Sequence, residues 1–271
     1  MNEVALTVQF AQPVIDLDAL GLFGARVRKQ LPGRQAQPLL PPMEETFDLM
    51  PPAPGFEIRF DNAPLVPRTW FLSPDGEQIV QLQPDRMSVN WRDVSEDKGD
   101  YPRYDRIRTR LEELLSVLEI VLSELDRPLP AINMCEASYV NPIQLPGSED
   151  ARQHPDLAKI INRVRGRPRN AFLPDAEDAQ LQVRWRIPAE ELPGAPEGPP
   201  VGRLHLQAGP GLRPRGNVPI YVVTMTARVK PAGGSVSNAW DALDVAHKWI
   251  VLGFTDVTTS AMHKIWGMKD K

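Results

Sequence analysis

The stretch FLSPDGEQIVQLQPDRMSVNWR, residues 71–92, decides the fold. Trp70 and Leu72 lead into Ser73-Pro74-Asp75-Gly76, a turn in which proline presets φ and glycine accepts a positive one. On the return strand Val80 and Leu82 point one way and Gln81 and Gln83 the other. Beyond Pro84 the apolar residues are Met87, Val89 and Trp91, so their parity changes from even to odd. Unbroken alternation would turn the core face to water. The change therefore predicts a β-bulge at 84–86, where proline is tolerated.

Elements spread outward from this hairpin. Val4, Leu6, Val8 and Phe10 alternate with polar or small residues, which predicts a half-buried strand. Asp16 or Asp18 caps a helix reaching about Gln30, with Leu17, Leu20, Phe23 and Val27 on its apolar side. Short strands are expected at 45–49 and 56–60. Residues 101–125 carry a broad leucine-rich stripe and form a long helix, ended by Arg127-Pro128. The order then repeats: a strand at 133–143, a short helix at 155–164, and strands at 179–187, 202–208 and 220–230. A last long helix covers 238–266, with a break expected at Gly253.

Both halves, 1–128 and 129–271, thus read as strand, helix, antiparallel meander and long helix. They share this pattern without residue-level identity. The expected fold is α+β: a curved antiparallel sheet backed by long helices, on a TATA-binding-protein-like or helix-grip-like plan. Such an analogy carries no activity with it.

Composition narrows the classes. The chain has 271 residues, 42% hydrophobic and 24% charged, the balance of a globular protein. A net charge of −4 excludes a polycation that coats nucleic acid, so any such site is a local patch. The single cysteine, Cys135, forbids an internal disulfide and fits a cytoplasmic location. Its apolar neighbours predict an inert strand thiol. The N-terminal residues lack a signal-peptide pattern, and no run is long and apolar enough to span a membrane. Of the 29 prolines, 14 cluster at 38–54, 188–200 and 210–219, which read as stiff connectors.

Motifs for chemistry are sparse. The four histidines, His154, His205, His247 and His263, form no zinc-type spacing, and no cofactor or metal is expected. No nucleophile elbow or phosphate-binding loop occurs. Paired acids such as Glu112 and Glu113 belong to a solvated helix face.

The positive signal is the polar side of the sheet. Alternation turns Gln182, Arg184 and Arg186 outward, with Arg203, His205 and Gln207, then Thr224, Thr226 and Arg228. Gln81 and Gln83 belong to the same side, along with Thr7, Gln9 and Asn90. An open face rich in Arg and Gln, with almost no acid, suits contact with phosphates and base edges or with an acidic protein.

One resemblance runs through most of the chain. It is carried by Asp75-Gly76, Val80-Gln81-Leu82-Gln83, Asp85-Arg86 and Asn90-Trp91-Arg92. Tyr101-Pro102-x-Tyr104, Glu136-x-x-Tyr139-Val140-Asn141 and Asp244-x-Ala246-His247 follow in order. Thr258-Thr259, His263 and Trp266-Gly267 complete the series. The series resembles a sporadically distributed bacterial family of uncharacterised proteins. Met87 stands where that pattern has a larger aromatic, and the loops here are richer in proline. The resemblance implies a mobile-gene setting, such as antiviral defence or a toxin–antitoxin system, and brings no catalytic residue with it.

The function expected from the sequence is non-catalytic binding of nucleic acid or a partner protein. The binding residues are Gln81, Gln83, Gln182, Arg184, Arg186, Arg203, His205 and Arg228. The alternative is an enzyme or small-molecule binder with a pocket between sheet and helices, formed by Asp85, Arg86, His247 and His263.

Overall fold

The computed structural model describes residues 2–47, 66–94, 101–146, 154–164, 172, 174, 176–213 and 217–268. The first half gives β1 (Glu3–Phe10), α1 (Leu17–Val27), β2 (Gly33–Gln37), β3 (Arg68–Leu72), β4 (Gln78–Gln83), β5 (Arg86–Arg92) and α2 (Arg103–Glu124). The second gives β6 (Ile132–Ile143), β7 (Leu181–Ile187), β8 (Gly202–Leu212), β9 (Pro219–Val229), α3 (Val236–Val257) and α4 (Ser260–Ile265). The described strands form one antiparallel sheet in the order β2-β3-β4-β5-β1-β6-β9-β8-β7. The first strand of each half sits at the centre, and each meander runs outward from it in reverse order.

Helices cover one face. α2 packs on β5 and β1, α3 on β6, β9 and β8, and α1 lies against α2. Val4, Leu6, Val8 and Phe10 meet the leucines of α2 in the core. Gly253 lies inside an unbroken α3. A Cβ there would come within 2.8 Å of Leu204 Cδ2, so this glycine marks close helix–sheet approach. The break falls instead at Thr258, whose hydroxyl donates to the Phe254 carbonyl; Thr259 then caps α4.

The hairpin corrects the expected bulge. β4 and β5 are joined by a two-residue turn, Pro84-Asp85, with Gln83 opposite Arg86, Leu82 opposite Met87 and Val80 opposite Val89. Residues directly opposite each other share a face. A two-residue turn therefore pairs even positions with odd ones, which is the parity change itself. The turn is docked as well: the Pro84 carbonyl accepts from Val14 and Ile15, and that of Asp85 accepts from Phe10.

Other expectations differ. Among the described residues β2 is a polar edge strand paired only with β3, and it lacks the apolar alternation that marks half-buried strands. Residues 45–47 form no strand; 48 and 49, and the expected strand at 56–60, lie outside the described residues. The helix expected at 155–164 is a single 3-10 turn at Leu157–Lys159. Leu17 is exposed rather than part of the α1 core stripe, because it stands in the first turn beside the Asp16 cap.

A strap across the polar sheet face

The face opposite the helices carries rows of side chains aligned across the strands. One row runs Gln81, Ser88, Thr7, Glu136, Arg228, Arg203 and Arg186, from β4 to β7. The next runs Ile79, Asn90, Ala5, Ser138, Thr226, His205 and Arg184. Three arginines stand side by side in the first row, and like charges directly opposite one another destabilise a sheet.

Residues 38–47, PLLPPMEETF, relieve that repulsion by lying across the face. The segment joins no strand of the sheet. Gln83 receives the Leu40 N–H at 3.1 Å and returns a bond to its carbonyl at 3.0 Å. Gln9 does the same for Met43, at 2.6 and 3.1 Å. Arg86 donates to the Pro41 carbonyl at 2.6 Å. Further along, Arg203 donates to the Thr46 carbonyl and Arg186 to that of Phe47, both at 2.8 Å. The Arg203 guanidinium also sits 5.0 Å over the Phe47 ring.

The distances are consistent with an extended crossing. From β4 to β7 are six strand spacings, roughly 29 Å at about 4.8 Å each. Residues 40–47, extended, reach roughly 24 Å, and the long side chains of Gln83 and Arg186 supply the rest.

Glu45 is the electrostatic centre of this strap. Its side chain is 3% exposed. It pairs with Arg203, meets His205 Nε2 at 2.7 Å and lies 3.6 Å from Arg228. Burial pushes the Glu45 carboxyl up. The His205 hydrogen bond and the charges of His205, Arg203 and Arg228 outweigh it and hold the group below its ordinary value. Arg228 also donates to Glu136 at 2.6 Å.

The expected open face is therefore covered over much of its width. Gln83 and Arg203 are buried, while Gln81, His205 and Arg228 are half-buried. Gln81 is held by Arg68, Trp70 and Asn90. Gln182, Arg184, Arg186 and Gln207 form the exposed end, on β7 and β8. The expectation of almost no acid is corrected as well. Glu136 was readable, since it alternates with Cys135 and Ala137 in β6. Glu45 was not, because it belongs to a segment with no periodicity of its own.

The four residues of the alternative pocket do not converge. Asp85 and Arg86 bond to each other, with Gln83 and the strap around them. His263 bonds to Thr258 at 2.8 Å. His247 belongs to the helix layer: Tyr139 meets its Nδ1 at 2.6 Å and Tyr104 stacks on it at 4.0 Å. The Tyr104 hydroxyl donates to Asp244, which also pairs with Arg108. Burial raises both phenols and lowers the His247 imidazole, against the pull of Asp105 and Asp244, so neutral forms are favoured. This cluster ties α2, β6 and α3 together. A depression of about 790 Å³ beside Tyr101, Asn141, Arg213 and Trp266 includes none of the four residues.

Cys135 is fully buried with its thiol aimed at the Ala239 carbonyl, and burial pushes its pKa up. Among the described residues no His, Cys, Asp or Glu group gathers to hold a metal, and no helix is long and apolar enough to cross a membrane. No protein-family model and no curated protein matches the chain.

Proposed function

We propose that this is a non-catalytic binding protein whose polar sheet face receives an extended, acidic segment of a partner protein. The observation that supports it is how the face holds residues 40–47. Gln9 and Gln83 each read a backbone N–H and C=O together, a pairing that every non-proline residue of a polypeptide offers. Arg86, Arg186 and Arg203 add three carbonyl contacts, and the arginine row accepts one carboxylate. The surface is therefore suited to main chain with an acid at one position. The exposed end at Gln182, Arg184, Arg186 and Gln207 gives an incoming segment its first charged contact.

The test compares glutamate-containing decapeptides with single- and double-stranded oligonucleotides, on the full chain and on an Arg184→Ala/Arg186→Ala variant. Peptide binding that weakens about fivefold or more in the variant supports the reading. Oligonucleotide binding that is steeply salt-dependent, and lost in the variant, would replace the partner protein by nucleic acid.

A further inference from the structure

Residues 38–47 touch the face in two ways. Main-chain groups at 40, 41, 43, 46 and 47 are held irrespective of side chain. Two side chains are taken deep into the face, Met43, 5% exposed, and Glu45, and the half-buried Phe47 ring lies under the Arg203 guanidinium. Leu39, Leu40, Pro41, Pro42, Glu44 and Thr46 remain exposed or half-exposed. Positions two apart in an extended chain point the same way. The contacts therefore spell a short pattern, an apolar residue two places before a glutamate.

The manner of attachment also matters. Every strand of the sheet keeps its ladder without the strap, because the strap contributes no strand pairing. An empty face, however, would leave Arg186, Arg203 and Arg228 in a row in which, among the described residues, Glu136 is the acid beside them. Such a face favours exchange of one acidic segment for another over standing bare.

We propose that residues 38–47 are a built-in competitor for the face, and that the partner segment displacing them carries the same apolar-x-Glu pattern. This rests on the reading of the face as a polypeptide-binding surface, and it adds both a recognition rule and a means of regulation. The strap lowers apparent affinity by the fraction of time it stays docked. A partner lacking the glutamate cannot neutralise the arginine row and is rejected.

The experiment uses a fluorescent decapeptide, PLLPPMEETF, and anisotropy with the full chain. The wild type, Glu45→Gln and Met43→Ala are compared, with circular dichroism confirming the fold of each. The two substitutions weaken the docked strap by different routes, so one folded variant suffices. The peptide is expected to bind a folded variant about tenfold or more tighter than the wild type. A peptide with glutamine at its eighth position is expected to lose about tenfold. Equal affinity for wild type and folded variants overturns the competitor while leaving the face as a peptide site. Binding to the variants that is unaffected by Arg186→Ala places the peptide elsewhere and overturns the reading of the face itself. Absence of binding to every folded chain overturns both.

Discussion

Replacing Glu45 by glutamine removes one charge and keeps the shape, so it isolates the electrostatics of the strap. In the wild type the carboxylate and Arg203 are both buried, with side chains 3% and 10% exposed. Breaking a buried pair from one side costs about 3–5 kcal/mol. Two features reduce that here. Arg203 keeps the Thr46 carbonyl, and Arg228, about a third exposed, keeps Glu136. The expected loss is then about 2–3 kcal/mol, equivalent to a melting shift of roughly 4–12 °C for a chain of this size. Urea unfolding at pH 7 measures it, with the slope checked for unchanged two-state behaviour. Adding Arg203→Met to Glu45→Gln closes a double-mutant cycle, in which a coupling of about 1–2 kcal/mol is expected. A single-variant loss under about 0.5 kcal/mol, the range of an ordinary surface change, with no coupling would refute the reasoning.

Three further outcomes follow from the same geometry. The Glu45 carboxyl has a folded pKa below its ordinary value of 4.5, so its stabilisation is complete above that pH and is lost as pH falls through the folded value. The urea midpoint should therefore fall below pH 4.5 by more in the wild type than in Glu45→Gln. Tyr139→Phe should cost about 1–2 kcal/mol by leaving His247 Nδ1 without its partner, while leaving decapeptide affinity unchanged. Gly202→Ala should destabilise by about 1–3 kcal/mol, because a Cβ there would meet the Arg228 carbonyl oxygen at 2.2 Å, and peptide affinity should weaken as the arginine row shifts.

Much of the sheet was legible because one of its faces is apolar. The alternation of β1, β7, β8 and β9 placed Arg184, Arg186, Arg203 and Arg228 on one side, and the register agrees. The elements missed lacked that signal. β2 is polar on both sides at an edge, and the strap has neither a 2.0 nor a 3.6 period. The parity change at Pro84 reads as a bulge from sequence alone, because a two-residue turn leaves the same trace. The cover over the polar face could have been inferred from charge alone, since an arginine row across three adjacent strands needs a counter-charge. Which acid supplies it is a long-range fact, with Glu45 and Arg203 separated by 158 residues. Likewise, several residues of the family-like series, Tyr104, Tyr139, Asp244 and His247, converge as a clamp between helices and sheet rather than as an open site.

The most direct measurement is amide hydrogen exchange at Leu40 and Met43, whose N–H groups bond to Gln83 and Gln9. Protection of both in the free protein, lost when the decapeptide saturates the face, is the predicted result. Exchange at unprotected rates in the free protein, or protection that persists with peptide bound, would contradict the account.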